Sequence, residues 1–177
     1  MSLSFMTIKD SNYHNVFQLG KEIIDNVLGT NRTETFEWKK CTNDLGGETS
    51  DFIIANEQIT SFLSKASHIL KNNGYKIDNN NYHIDFHRYN LFGEKYNSEL
   101  DWHEDDYGAT NYEVCTAIFY LRKDKTIKGG DLLIKDHDKI IVADGTLLLL
   151  DGRTIHKPED LNGTGCRDSI VVQFKRI

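Results

Sequence analysis

Val114-Cys115-Thr116-Ala117-Ile118-Phe119-Tyr120-Leu121 carries no charge and is rich in β-branched and aromatic residues, so it reads as a buried strand. Chemistry-bearing residues collect on both sides of it. Upstream lies Asp101-Trp102-His103-Glu104-Asp105-Asp106. Downstream, Lys128-Gly129-Gly130 marks a turn, and Asp131-Leu132-Leu133-Ile134 follows. Gly145-Thr146 then leads into the leucines at 147–150, His156 comes next, and Gly165-Cys166-Arg167 opens a final strand.

In a strand, residues two apart share a face, so the imidazole of His103 and the carboxylate of Asp105 would converge on one point. His156, delivered from a neighbouring strand, would make the set two histidines and one carboxylate on one side of a cation. Such a set leaves open positions and suits non-haem Fe(II) that binds O2. A second His-x-Asp occurs at His83-x-Asp85, followed by His87 on the same face. There His83 and His87 would sit about 13 Å apart, too far to share one ion. His83 and Asp85 can still pair with His156, and what favours His103 is the ordered series of elements that follows it.

That series resembles the Fe(II)/2-oxoglutarate-dependent dioxygenases, specifically their prolyl 4-hydroxylase-like branch. Those enzymes carry His-x-Asp, a Tyr-Leu strand, Gly-Gly-Glu or Gly-Gly-Asp, a Gly before an apolar strand, the second His, and Gly-x-Arg or Gly-x-Lys about eleven residues on. The resemblance spans residues 89–174, half of the chain. It implies a double-stranded β-helix (jelly roll) with Fe(II) on His103, Asp105 and His156. It further implies 2-oxoglutarate as cosubstrate, O2 as oxidant and ascorbate as a supporting reductant. Arg167 matches the basic residue that meets the far carboxylate of 2-oxoglutarate, which a guanidinium can grip with two parallel hydrogen bonds. Tyr89, in His87-Arg88-Tyr89, resembles a strand-end tyrosine that donates to the same carboxylate. The family usually places it about nine residues before the His, whereas here the interval is fourteen, so a longer loop is implied. Tyr96 and Tyr120 are rival donors, although Tyr120 also reads as plain strand packing.

The activity implied is hydroxylation of a peptidyl residue, prolyl first and lysyl or arginyl next, or of a free amino acid. Two other readings remain open. A cupin-like metalloenzyme would use the same triad without 2-oxoglutarate, leaving Arg167 without a purpose. A non-catalytic jelly-roll module for sugar or peptide would make the triad a chance set.

The rest of the chain supplies the frame. At 177 residues and 20.4 kDa, with one proline, it reads as a single domain with a helical brace at about 12–74 and a jelly-roll core at about 82–177. Val16, Leu19, Ile23 and Val27 recur at helical spacing within 12–28, before Gly29. A second helix is capped by Asn56 or Thr60, buries Ile59, Phe62, Leu63, Ala66, Ile69 and Leu70, and ends at Asn72-Asn73-Gly74. Residues 35–39 alternate like an edge strand, and 79–81 read as a turn. Strands are expected at 82–91, 100–103, 114–121, 132–135, 140–143, 146–150 and 169–174, which makes the class mainly β with flanking helices.

Cys41, Cys115 and Cys166 read as small buried side chains, free thiols that fit a reducing cytosol. No signal core or membrane-length apolar run is present, so the expectation is cytoplasmic. A net charge of −6 and the cluster Asp101, Glu104, Asp105, Asp106 argue against nucleic acid and for a neutral or cationic peptide or small molecule. Lys123, Lys125 and Lys128 form an opposing basic group. Trp102 is expected to pack outside the barrel, Glu104 and Asp106 to point away from the ion, and His14, His68 and His137 to be surface residues. Nothing in the sequence signals an oligomeric state.

Overall fold

A computed structural model describes residues 5–8, 13–43, 53–98, 100–105 and 113–177. In chain order its elements are β1 (Phe5–Ile8), α1 (His14–Leu28), β2 (Phe36–Asn43), α2 (Glu57–Asn72), β3 (Ile77–Phe92), β4 (Val114–Lys123), β5 (Lys128–Gly129), β6 (Leu132–Ile134), β7 (Thr146–Asp151), β8 (His156–Pro158), β9 (Leu161–Asn162) and β10 (Thr164–Arg176).

Each helix forms for the reason its sequence suggests. The Asn56 side chain accepts a hydrogen bond from the Ile59 amide at 3.0 Å and starts α2. Helix α1 buries Val16, Phe17, Gly20, Ile23 and Ile24 along one stripe. A Cβ on Gly20 would stand 2.8 Å from a Leu121 methyl, so this glycine lets α1 lie close on β4. Both helices cover one face of a six-stranded antiparallel sheet with order β1-β7-β4-β10-β3-β2. Phe62, Ile84, Phe86, Phe119, Leu149, Ile170 and Val172 seal that interface. Each contributes about 1.5–3 kcal/mol through burial.

Because side chains alternate across a strand, the intervening residues point to the opposite face. The register puts His83, Gln173 and Thr116 in one row across β3, β10 and β4. Asp85, Val171 and Ile118 form the next row, His87, Ser169 and Tyr120 the third, and Tyr89 with Arg167 the fourth. This inner face packs against the short pairs β6-β8 and β5-β9, where Leu132 and Ile134 meet Ile118, Tyr120, Leu148 and Leu150. The result is the double-stranded β-helix, mainly β and braced by two helices.

Several expected elements differ. Residues 100–103 form no strand, since only His103 makes an isolated bridge, and in 140–143 only Ile140 does so. Residues 79–81 are not a turn between elements but lie within β3. The pairing with β10 jumps from Phe174↔Tyr82 to Lys175↔Asp78, so the three asparagines bulge out of that ladder. The Asp78 carboxylate holds the bulge by accepting from the Asn80 amide at 2.9 Å and from Asn81. Strand β2 is an edge strand as expected but runs on to Asn43, and β1, β5, β8 and β9 are too short to announce themselves by periodicity. Residue 12, at the expected start of α1, lies outside the described residues. Cys41, Cys115 and Cys166 are free and buried. Among the described residues, no helix is long and apolar enough to cross a membrane.

Candidate metal centre and its pocket

His103, Asp105 and His156 come together through backbone pairing between distant segments. His103 and His156 exchange two N–H···O bonds of 3.0 Å, and the Asp105 amide donates to the Gly152 carbonyl at 2.8 Å. Residues 103–105 are thereby stitched antiparallel onto 152–156, and this replaces the regular strand expected from the sequence. The imidazole centroids lie 4.3 Å apart. Asp105 Oδ1 stands 3.9 Å from His103 Nε2 and 3.7 Å from His156 Nε2. Both separations fall within twice a metal–ligand bond of about 2.1 Å.

The surrounding hydrogen bonds decide which atoms face inward. His103 Nδ1 lies 2.8 Å from the Asp101 carbonyl, and His156 Nδ1 lies 2.8 Å from the Thr154 carbonyl. A carbonyl only accepts, so each Nδ1 carries the proton and each Nε2 presents a lone pair. Thr116 Oγ1 donates to Asp105 Oδ2 at 2.6 Å, leaving Oδ1 for the ion. One donor atom from each of the three residues lies within 4.8 Å of the others, and among the described residues this is the cluster able to hold a metal. His156 and Asp105 are buried, while the His103 side chain is 30% exposed and marks the open side. The donor set fits Fe(II).

The other His-x-Asp is already engaged. His83 Nε2 lies 2.9 Å from Asp85 Oδ1, and Trp38 Nε1 donates to the same oxygen at 3.1 Å.

Arg167 is 5% exposed and is not part of a surface salt bridge. Its guanidinium lies between two phenol rings, 5.3 Å from the centroid of Tyr89 and 5.0 Å from that of Tyr120. Its Nε is buried with no hydrogen-bond partner, and it forms no ion pair among the described residues. The buried Asp131 is taken up by the Val142 amide at 2.9 Å and by Lys123 and Lys139, each at 3.4 Å. Burial pushes both phenols up, with Arg167 pulling the other way, so both hydroxyls remain protonated at neutral pH. Tyr120 thus packs on Arg167 as well as in its strand. Tyr96 meets Tyr89 edge to face, with ring centroids 5.0 Å apart. Gly130 sits at φ +71°, and its missing Cβ leaves room for the Leu161 side chain.

The acidic rim is looser than expected. Asp101 and Glu104 are exposed, Asp101 lies 3.4 Å from Lys157, and Asp106 lies outside the described residues. Trp102 is 46% exposed. Lys123 turns to Asp131 and the Val142 carbonyl, whereas Lys125 and Lys128 stay at the surface, as do His14, His68 and His137. Thr116 went unmarked in the sequence, and Tyr120 was only one of three rival donors. Their signal was present in the two-residue spacing Thr116, Ile118, Tyr120, which places both on the inner face of β4.

No family model matches the chain, and no curated protein sequence does. Solved structures do match. IDO from Bacillus thuringiensis superposes with a TM-score of 0.69 at 16% identity, over 99% of this chain and 91% of that one. The viral collagen prolyl hydroxylase of Paramecium Bursaria Chlorella virus-1, in its 2OG complex, gives 0.60 at 17% identity, over 99% and 96%. A prolyl hydroxylase from Trichoplax adhaerens, in complex with a hypoxia inducible factor oxygen degradation domain peptide fragment, gives 0.58 at 16% identity, over 99% and 84%. The chain therefore has the fold of the Fe(II)/2-oxoglutarate dioxygenases in its prolyl 4-hydroxylase-like form.

Proposed function

We propose that this chain is an Fe(II)- and 2-oxoglutarate-dependent dioxygenase that hydroxylates a peptidyl residue or a free amino acid. The observation that carries the reading is a buried Arg167 with no ion pair among the described residues and an unpartnered Nε, on the same inner face as a triad whose three donor atoms lie within 4.8 Å of one another. When bound, iron and 2-oxoglutarate would supply, with O2 as the oxidant, oxidative decarboxylation to succinate and CO2, one oxygen atom going to succinate and the other into a substrate C–H bond.

The protein's part is positioning. His103, Asp105 and His156 hold one side of the metal, and Thr116 keeps the Asp105 carboxylate in place. Arg167 receives the far carboxylate of the cosubstrate, with the Tyr120 and Tyr89 hydroxyls beside it. Val171 and Ile118, in one row between Thr116 and Arg167, put apolar side chains between the triad and that arginine. The neighbour solved with a peptide fragment supports a peptidyl substrate, with proline the first candidate from the resemblance. A cupin-like enzyme without 2-oxoglutarate leaves the buried Arg167, with its unpartnered Nε, unexplained.

The test begins with anaerobic addition of Fe(II) and then 2-oxoglutarate, followed by visible charge-transfer absorption. Succinate release and a mass gain of one oxygen are then scored with proline-rich peptides, basic peptides, free amino acids and single-stranded oligonucleotides. Iron binding without succinate would move the chain to the cupin-like reading. Turnover of the oligonucleotide alone would move it to the nucleic-acid demethylating branch.

A further inference from the structure

The inner-face row that reaches the triad through Thr116 crosses four strands as Thr42, His83, Gln173 and Thr116. Three of these side chains have a partner. Thr42 Oγ1 donates to the Tyr82 carbonyl at 3.0 Å, His83 Nε2 lies 2.9 Å from Asp85 Oδ1, and Thr116 Oγ1 donates to Asp105 Oδ2 at 2.6 Å. Gln173 differs: it is 3% exposed, and its Oε1 is buried with no hydrogen-bond partner. The charges beside the row oppose one another, since Asp85 meets His83, accepts from Trp38 Nε1 at 3.1 Å and has Lys40 as its register partner on β2. What the row leaves to be matched is a neutral amide, which carries an acceptor and donors side by side. Gln173 also stands six residues along β10 from Arg167, about 20 Å of strand, so a five-carbon cosubstrate gripped by Arg167 does not fill the Gln173 end of the wall.

A buried acceptor without a donor is costly, and the cost is relieved when a ligand brings the donor. The terminal torsion of a glutamine is broad and roughly two-fold, so the amide can turn to a ligand while β10 stays in place. An extended peptide offers the complement: one residue points its own N–H and C=O to the same side, as in antiparallel strands whose paired residues exchange both bonds. We propose that Gln173 is a substrate-positioning residue whose side-chain amide pairs with the N–H and C=O of one residue of an extended peptide bound beside the triad. The clamped residue is not proline, which has no N–H for Oε1. Where a proline is the residue oxidised, the clamp falls on its neighbour. Oxidation of the clamped peptide rests on the dioxygenase reading, whereas the pairing itself does not.

The clamp is tested on the full chain with Zn(II), a diamagnetic stand-in for Fe(II), and 2-oxoglutarate. Nitrogen–proton correlation NMR follows the side-chain NH2 resonances of Gln173, assigned by their loss in Gln173→Met. The probes are N-methylacetamide and acetyl-pentaalanine amide, each against its counterpart with the N–H hydrogens replaced by methyl groups. The N–H-bearing probes should move those resonances and bind about two- to tenfold tighter than the methylated ones, the scale of one neutral hydrogen bond. Gln173→Met and Gln173→Leu should each erase that preference with the thermal midpoint at or above the parent's, because an apolar side chain no longer buries an unpartnered oxygen. Equal binding in the parent, a preference that survives both substitutions, or Gln173 resonances that no probe moves would overturn the clamp. A large fall of the midpoint in both variants would overturn it too, by making the amide a structural group, as would a raised 2-oxoglutarate requirement with the N–H preference intact. Succinate release by the iron-loaded parent with 2-oxoglutarate tests the dioxygenase reading separately. N–H preference without succinate would sink that reading and keep the clamp, and succinate without N–H preference would do the reverse.

Discussion

The two faces of the six-stranded sheet treat buried charge in opposite ways. On the helix side, Arg88 is fully buried and donates to Asp168 at 2.8 and 3.0 Å, to Asp25 at 2.6 Å and to the Gly29 carbonyl. Arg122 donates to Asp168 at 2.7 Å and to the two Asp25 oxygens at 2.8 and 2.7 Å. Two arginines and two aspartates close on one another and tie α1 to three strands. On the inner side Arg167, one residue before Asp168, meets two aromatic faces and keeps an unmatched Nε, and Gln173 keeps an unmatched oxygen. Buried charges that only hold structure are surrounded by their full set of partners, because desolvation is costly without them. Hydrogen-bonding capacity left open in a buried polar wall marks where a ligand completes it.

The contrast is sharpest for the candidate metal ligands. His103→Ala and His156→Ala should each abolish succinate release and sharply weaken Mn(II) binding, seen by calorimetry, while leaving the helix-side network intact by circular dichroism. Full metal occupancy in His103→Ala, with loss in His83→Ala, would mean that the other His-x-Asp is the site. Next in size is Asp168→Ala, which strands Arg88 without its main counter-ion and should cost about 3–5 kcal/mol in urea unfolding. Arg167→Ala in the same assay should cost far less, since no ion pair is broken. Its effect should appear instead as a tenfold to hundredfold higher 2-oxoglutarate requirement, about 1.5–3 kcal/mol for a charge-assisted contact. Lysine at 167 should recover part of this. An unchanged requirement would erase the distinction between the faces.

The smallest effect is in acid. Packing around the His87 ring pulls its imidazole below the ordinary 6.5, with Asp85 opposing and Arg167 assisting. The unfolded chain then binds more protons than the folded one, so the inner face loses stability as pH falls from 6.5 toward the folded value. Asp25 is held below the ordinary 3.8, the Arg122 hydrogen bond acting first and burial opposing. Its contribution is present above 3.8 and is lost only as pH falls through the lower folded value, and solvent screening keeps it small. His87→Gln should therefore remove the first, shallow decline of the thermal midpoint below 6.5 and leave the later one unchanged.

Both helices, the buried β4 strand, the edge position of β2 and the free buried cysteines were legible in the sequence, because periodicity and capping act over a few neighbouring residues. The order of His-x-Asp, Gly-Gly, His and Gly-x-Arg was legible through its resemblance to a known family, and that resemblance marked His103, Asp105, His156 and Arg167. Only the tertiary structure decided how the triad meets, since that depends on residues 103–105 pairing with 152–156 and on a Thr116 hydroxyl reaching across from β4. It also showed that Asp78 gathers three asparagines into a bulge, that Tyr120 lies against Arg167, and that Arg167 and Asp168 serve opposite faces. Local sequence sets which face a side chain takes along its own strand. What that face meets is set by the register between strands far apart in the chain, and register belongs to the fold as a whole.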